Sequence, residues 1–228
     1  MQTATELSML AHLVAATRPA PNVEIEQFHM HAADLVRQVR QVRECFRDRR
    51  LVVLGDDDHV SVLLAVSTKV DVTVVELDPR VCESLKTWGD LLSLRNFRIH
   101  CIDIRDVGSL RVEKFDCFYA NPPYSSKNGG HGVRAWLNQA IELCVEHCRG
   151  VLVMPDPLPH EAWIDSNRES VSGYLRANGF KLDYEIAARL RFHRTRHRDL
   201  TASNWFLCRT TPDLRELEPP RPGADLYR

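Results

Sequence analysis

The chain has 228 residues, 44% of them hydrophobic and 27% charged, with 30 Lys and Arg against 31 Asp and Glu. That length fits one large domain or one domain with an appendage, and the near-average composition excludes extended disorder. A formal charge of −1 gives no global pull toward nucleic acid or an anionic membrane, and no apolar run reaches the ~20 residues of a membrane span. Leu7, Leu10 and Leu13 recur at helical spacing over 3–16, a leading helix that ends before Pro19 and Pro21. Leu35, Val39, Val42 and Phe46 mark one face of a second helix over 32–46. An apolar run at 51–55 stopped by Gly55 reads as a buried strand, 61–67 as a helix and the Val-rich 71–78 as a second strand. Pro79 stands at a first helical position for a helix over 79–94. Strands follow at 97–103 and 115–120, then a long amphipathic helix over 132–148 and a fifth strand at 150–155. A helix over 169–178 ends at Gly179, and 181–192 with 201–210 read as a closing hairpin. The division expected is a helical lead over 1–30, one α/β domain over 31–211 and a Pro-rich tail over 212–228.

Strands alternating with helices at this spacing build a mainly parallel, seven-stranded sheet with helices on both faces and an antiparallel edge. Ligands in such sheets bind beyond the C-terminal ends of the strands, which directs attention to the residues after Leu54, Leu77, Ile102 and Ala120. The seven cysteines are odd in number and scattered, and the N-terminus lacks the pattern of a secretion signal. Reduced thiols in the cytoplasm are therefore expected. Cys144 and Cys148 stand four apart in the apparent helix beside His147, but no second pair completes a zinc set, so no metal is expected.

After the first strand comes Gly55-Asp56-Asp57-Asp58-His59. A nucleotide-binding turn usually carries glycines here, so that backbone approaches a phosphate; three carboxylates instead disfavour phosphate and favour a cation. One of them could simply cap the next helix. Glu76 lies 21 residues beyond Gly55, near the ~20 at which an acid meets a ribose. Asp78 follows it, and Asp103 ends the third strand, where it could reach an adenine amino group or cap a turn. After the fourth strand, Asn121-Pro122-Pro123-Tyr124 offers a stiff backbone, free carbonyls and an amide to hold an amine beside a tyrosine.

Taken together, the Gly-Asp-Asp-Asp turn, the acid after strand two and the Pro-Pro-Tyr loop resemble class I S-adenosylmethionine-dependent transferases. They look specifically like the branched-chain polyamine synthases, the N4-bis(aminopropyl)spermidine synthases. The resemblance runs from about Glu26 to Arg209 and implies a Rossmann-like class I methyltransferase fold. It implies that Asp57, Asp58, Asn121 and Tyr124 serve catalysis, while Gly55, Asp56, Glu76, Asp78, Asp103 and Pro122 hold the adenosyl ligand. One departure is Asn121, where that family carries Asp and many N-methyltransferases carry Asn.

A sulfonium donor can surrender a methyl or an aminopropyl group to an uncharged nitrogen. Intact S-adenosylmethionine carries a carboxylate that the acidic turn should repel, at about 4 kcal/mol for like charges ~4 Å apart at an effective dielectric of 20. The decarboxylated form presents only an ammonium there. The expected reaction is therefore aminopropyl transfer from decarboxylated S-adenosylmethionine to a polyamine or related amine. The alternatives are N-methyl transfer from S-adenosylmethionine to a nucleic acid, protein or small amine, and a non-catalytic binding protein on the same scaffold. A basic stretch over 189–198, with Arg37, Arg40, Arg43 and Arg47, speaks for nucleic acid unless it is a salt-bridged solvated edge. Self-association is left open.

Overall fold

The computed structural model describes residues 3–124, 129–193 and 200–210. Thr3 caps the first helix α1 (Ala4–Thr17) in a reciprocal pair with Glu6, satisfying two backbone donors that the helix start leaves open. Helix α2 (Ala32–Phe46) buries Leu35, Val39, Val42 and Phe46, the stripe expected from its spacing. Its buried Asp34 is flanked by Arg37 and by Arg191, which tie the helix start to the far sheet edge.

Five units follow: β1 (Arg50–Leu54), α3 (Val60–Ser67), β2 (Asp71–Glu76), α4 (Pro79–Leu91), β3 (Phe97–Cys101), β4 (Phe115–Ala120), α5 (His131–Leu143), β5 (Cys144–Pro155) and α6 (Ala162–Ala177). The strands β6 (Phe180–Arg191) and β7 (Thr201–Arg209) close the chain. The seven strands form one sheet in the order β3-β2-β1-β4-β5-β7-β6. The first five are parallel; β7 runs antiparallel between β5 and β6, the mixed edge expected.

Alternate strand residues feed opposite layers. Leu51, Val53, Val72, Val74, Cys117 and Tyr119 meet helices α1 to α4, with Leu7, Leu10 and Val14 of the lead inside that core. Val52, Leu54, Phe118, Ala120 and Leu152 meet α5 and α6. This α/β sandwich opens a crevice at the topological switch, between the C-terminal ends of β1 and β4. No helix among the described residues is long and apolar enough to cross a membrane.

Two elements differ from expectation. The helix expected over 132–148 stops at Leu143, and Cys144 already pairs with Phe115 as the start of β5. The amphipathic period continues through residues that the sheet claims for its ladder. Cys144 and Cys148 are therefore strand residues, free thiols like the other five, and no cluster able to hold a metal occurs among the described residues. Helix α6 begins at Ala162, well before the expected 169, because its buried stripe of Ile164, Asn167, Val171 and Leu175 counts an asparagine that hydrophobic periodicity does not see. The tail over 212–228 lies outside the described residues.

Candidate active site

The crevice holds a cavity that opens to solvent. Its polar wall is Glu26, Gln27, Asp57, Glu76 and Asn121; its apolar wall includes Ile102, Ile104 and Trp136. Three carboxylates face this space, and no Lys or Arg among the described residues lines it.

Gly55 makes the turn out of β1 possible. Its φ of +64° is the left-handed region, and a Cβ there would lie 2.4 Å from Cη2 of Trp136. Behind it the three aspartates separate. The backbone of Asp56 donates to Glu76 Oε2 at 2.7 Å, while the Asp56 carboxylate accepts from the Ser61 amide at 3.2 Å and from the Ser61 hydroxyl. That is the helix-capping role left open for one acid. Asp58 accepts from Arg18 Nη1 at 2.7 Å, the Met30 amide at 2.6 Å and Asn121 Nδ2 at 3.4 Å. Asp57 is half-buried on the cavity wall, and its carboxylate makes no hydrogen bond or ion pair among the described residues.

Burial pushes the Asp57 carboxyl well above its ordinary range; Asp58 and Glu76 push the same way, and Arg18 opposes them. Burial also raises Asp58, against the nearby Arg18 cation, and raises Glu76, against backbone donors led by Asp78 and Asp56. Glu76 takes those bonds from the Asp56 and Asp78 amides at 2.7 and 2.8 Å, which aims its carboxylate across the β1 turn.

Of the residues expected in the site, Gly55, Asp57, Glu76 and Asn121 line the cavity. Pro123 lines it, whereas Pro122 is buried behind. Asp78 caps α4, pairs with Arg80 and accepts Gln27 Nε2 at 3.3 Å, so it holds a wall residue in place. Asp103 is likewise a cap, over the short 3-10 helix at Ile104–Ser109, and pairs with Arg105 at 2.6 Å. Its neighbours Ile102 and Ile104 form the wall instead. Tyr124 packs on the α5–α6 core, with its hydroxyl buried and without a partner among the described residues. Burial raises its pKa well above the ordinary range, so it keeps its proton.

Residues that the sequence reading missed come from two places. Trp136 was counted only as a member of an amphipathic helix. Ile25, Glu26 and Gln27 belong to the stretch between α1 and α2, where a short 3-10 helix at Val23–Ile25 leads into Glu26 with φ 56°. Arg18 fastens that stretch, donating to Met30 O at 2.9 Å as well as to Asp58. The Pro-rich run after α1 was a sign that the chain changes direction there, but not of where it goes.

None of the described basic residues of the 189–198 stretch and of α2 lines the cavity. Arg37 and Arg191 flank Asp34, Arg43 and Arg47 pair with Glu44, and Arg40 reaches Ala4 O at 3.4 Å. Residues 194–199 lie outside the described residues.

Comparisons with known proteins agree with this geometry. The family model of the branched-chain polyamine synthase A C-terminal domain matches residues 7–155. The N(4)-bis(aminopropyl)spermidine synthase of Thermococcus kodakarensis is 26% identical over 132 residues, 56% of this chain and 36% of that protein. The protein of the same name from Methanocaldococcus jannaschii is 25% identical over 114 residues, 48% of this chain and 33% of that one. The matched stretch is thus about a third of the length of these curated relatives. Among solved structures, the branched-chain polyamine synthase from Thermus thermophilus, in complex with N4-aminopropylspermidine and 5'-methylthioadenosine, superposes with a TM-score of 0.80 at 18% identity. The match covers 97% of this chain and 68% of that one. TYW2 of M. jannaschii in complex with AdoMet superposes at 0.56 with 15% identity, over 78% of this chain and 77% of that one. The fold is the Rossmann-like class I methyltransferase fold.

Proposed function

The chain belongs to the branched-chain polyamine synthase A C-terminal domain family, and from that premise we propose that its cavity transfers an aminopropyl group from decarboxylated S-adenosylmethionine to an amine nitrogen of a polyamine or related acceptor. The observation that carries this reading is the cavity wall: three carboxylates, one of them unpartnered, and, among the described residues, no cation to meet a donor carboxylate. The residues present fit such a donor. Gly55, without a Cβ, admits a ligand against the β1 turn; Glu76 stands where a ribose would be held; Ile102, Ile104 and Trp136 offer an apolar slot for the adenine.

The donor supplies a carbon made electrophilic by its positive sulfur. As the acceptor nitrogen forms its bond to that carbon, the carbon–sulfur bond breaks and its electron pair stays on sulfur, giving neutral 5'-methylthioadenosine. The nitrogen must arrive uncharged and afterwards lose a proton. Asp57 is suited to take it, because its raised pKa brings its basicity closer to that of an amine. Asn121 and the Pro123 backbone orient the nitrogen, a contribution of position rather than of charge.

The nucleic-acid methylation reading draws less support, since among the described residues Arg37 and Arg191 are paired along the α2–β6 edge and no arginine lines the cavity. The seven free thiols favour the reducing cytoplasm. Incubation with decarboxylated S-adenosylmethionine and a linear polyamine is expected to yield acceptor heavier by aminopropyl units, together with 5'-methylthioadenosine, by mass spectrometry. Methylated acceptor with the intact donor, and no product with the decarboxylated one, would replace this reading by N-methyl transfer.

A further inference from the structure

Arg18 has no place in the cavity wall, yet it is among the most constrained groups in the molecule. Its side chain is 2% exposed, that of Asp58 3%, and the two form an ion pair at 2.7 Å. The same guanidinium nitrogen also donates to Asp58 O at 3.3 Å, and the other terminal nitrogen to Met30 O at 2.9 Å. Met30 in turn donates its amide to Asp58 Oδ1 at 2.6 Å. One oxygen of Asp58 is thereby committed to Arg18 and Met30, and the other accepts from Asn121 Nδ2 at 3.4 Å.

This arrangement decides which end of the Asn121 amide faces the ligand. An ionised carboxylate only accepts, so it takes the NH₂ end and leaves the Asn121 carbonyl oxygen for the cavity. A protonated Asp58 could donate to that oxygen instead and turn the amide around, presenting two N–H donors to an approaching nitrogen that needs an acceptor. Resting on the aminopropyl-transfer reading above, we propose that Arg18 is a positioning residue for the transfer step, acting through Asp58 to hold the Asn121 amide with its oxygen toward the acceptor nitrogen.

Several other groups face Asp58 and bear on its ionisation. Asp56 and Asp57 lie in its own turn, and Tyr119 lies on β4; Arg18 is also felt by His29 and His59. The two neighbouring acids favour a protonated Asp58, burial does the same, and both imidazoles stay neutral at neutral pH. Arg18 is the cation that holds the charge on Asp58 against them.

The test compares wild type with Arg18→Met, Arg18→Lys and the double variant Arg18→Met/Asp58→Asn. In Arg18→Met, kcat for aminopropyl transfer is expected to fall about 10- to 100-fold, the cost of a misplaced group. KM for the donor should stay within twofold, and activity should return as pH rises and Asp58 ionises. Arg18→Lys should recover most of the rate at neutral pH. The double variant, with neither charge of the pair left buried alone, should fold and remain slow with no recovery at high pH. Infrared difference spectra, with the Asp58 band assigned from Asp58→Asn, should show its carboxylic-acid form persisting to higher pH in Arg18→Met than in wild type. An unshifted pH profile in Arg18→Met, or losses of kcat that track only the folded fraction, would overturn the proposal. The infrared arm needs no turnover. A wild type inactive in aminopropyl transfer would therefore count against the reaction, while an unmoved Asp58 band would count against Arg18.

Discussion

Asp56, Asp57 and Asp58 follow one another in the chain, but the fold gives each a different task. Asp56 secures the start of α3 through Ser61, and Asp58 joins the stretch after α1 to the β1 turn and to Asn121. Only Asp57 faces the cavity without a partner. Such a residue serves a ligand at the expense of the fold. Its folded-state pKa lies above the unfolded value, so the folded protein binds the proton more tightly. Stability from this group is therefore present below the unfolded pKa and is lost as pH rises through the raised folded value. Asp57→Asn keeps the shape and removes the charge. It is expected to raise the melting temperature at pH 7–8, to flatten the decline in stability above pH 4, and to reduce transfer by about 10²–10⁴-fold. Melting curves across that range and single-turnover product analysis check both halves. A variant no more stable than wild type at neutral pH would mean that Asp57 is not strained by its surroundings.

At the level of elements, the cavity depends on close approaches that only glycine permits. Gly55 combines a left-handed φ with the Trp136 ring pressed against the place of its missing Cβ. Gly150 in β5 pairs with Phe118 in β4, and a Cβ there would lie 2.1 Å from Cζ of that ring. Gly55→Ala should cost about 2–5 kcal/mol, from left-handed strain together with overpacking. Adding Trp136→Leu should return part of that loss, because it relieves the ring contact but not the φ. Urea unfolding of the single and double variants separates the two contributions, and the absence of any recovery would assign the whole cost to the backbone. The close approach of Trp136 also shows what the sequence could and could not reveal. Strand and helix order, the acidic turn, Glu76 and Asn121 were legible because periodicity and strand-end position are local properties. Trp136, Arg18 and Gln27 reach the site through long-range packing, which no spacing encodes. Asp78 and Asp103 both act as caps, and for Asp103 the sequence leaves ligand contact and cap open because an acid at a strand end looks the same in either role. The end of α5 was misplaced because Cys144 joins β4 through a sheet contact, not through any breaker of its own.

For the whole molecule, the stretch that leads from the N-terminal wall of the crevice is fastened to the far end of the sheet. The stretch 29–31 pairs with the end of β6: His31 donates its amide to Arg191 O at 3.0 Å, and His193 donates to His29 O at 2.7 Å. The His31 and His193 rings lie 3.6 Å apart across that junction. Beneath it, burial holds two neutral imidazoles, His29 with its pKa lowered to about 3 and His59 to about 4. Their sign is opposite to that of Asp57. The unfolded chain protonates these imidazoles near their ordinary values and the folded protein does not, so stability from them is present above about pH 6.5 and drains away as pH falls toward the lowered values. The buried carboxyls weaken the fold from the alkaline side and the imidazoles from the acid side, which places maximal stability between the two flanks. His59 has φ 58°, a conformation that asparagine tolerates, so His59→Asn removes the titrating ring without asking for a new backbone. The substitution should lower stability at pH 7.5 through loss of the His59–Ser84 bond, yet make the melting temperature fall less between pH 6.5 and 4.5 than it does in wild type. An acid flank equally steep in both proteins would mean that His59 takes up its proton in the folded state, and that the acid side of the stability curve is set elsewhere.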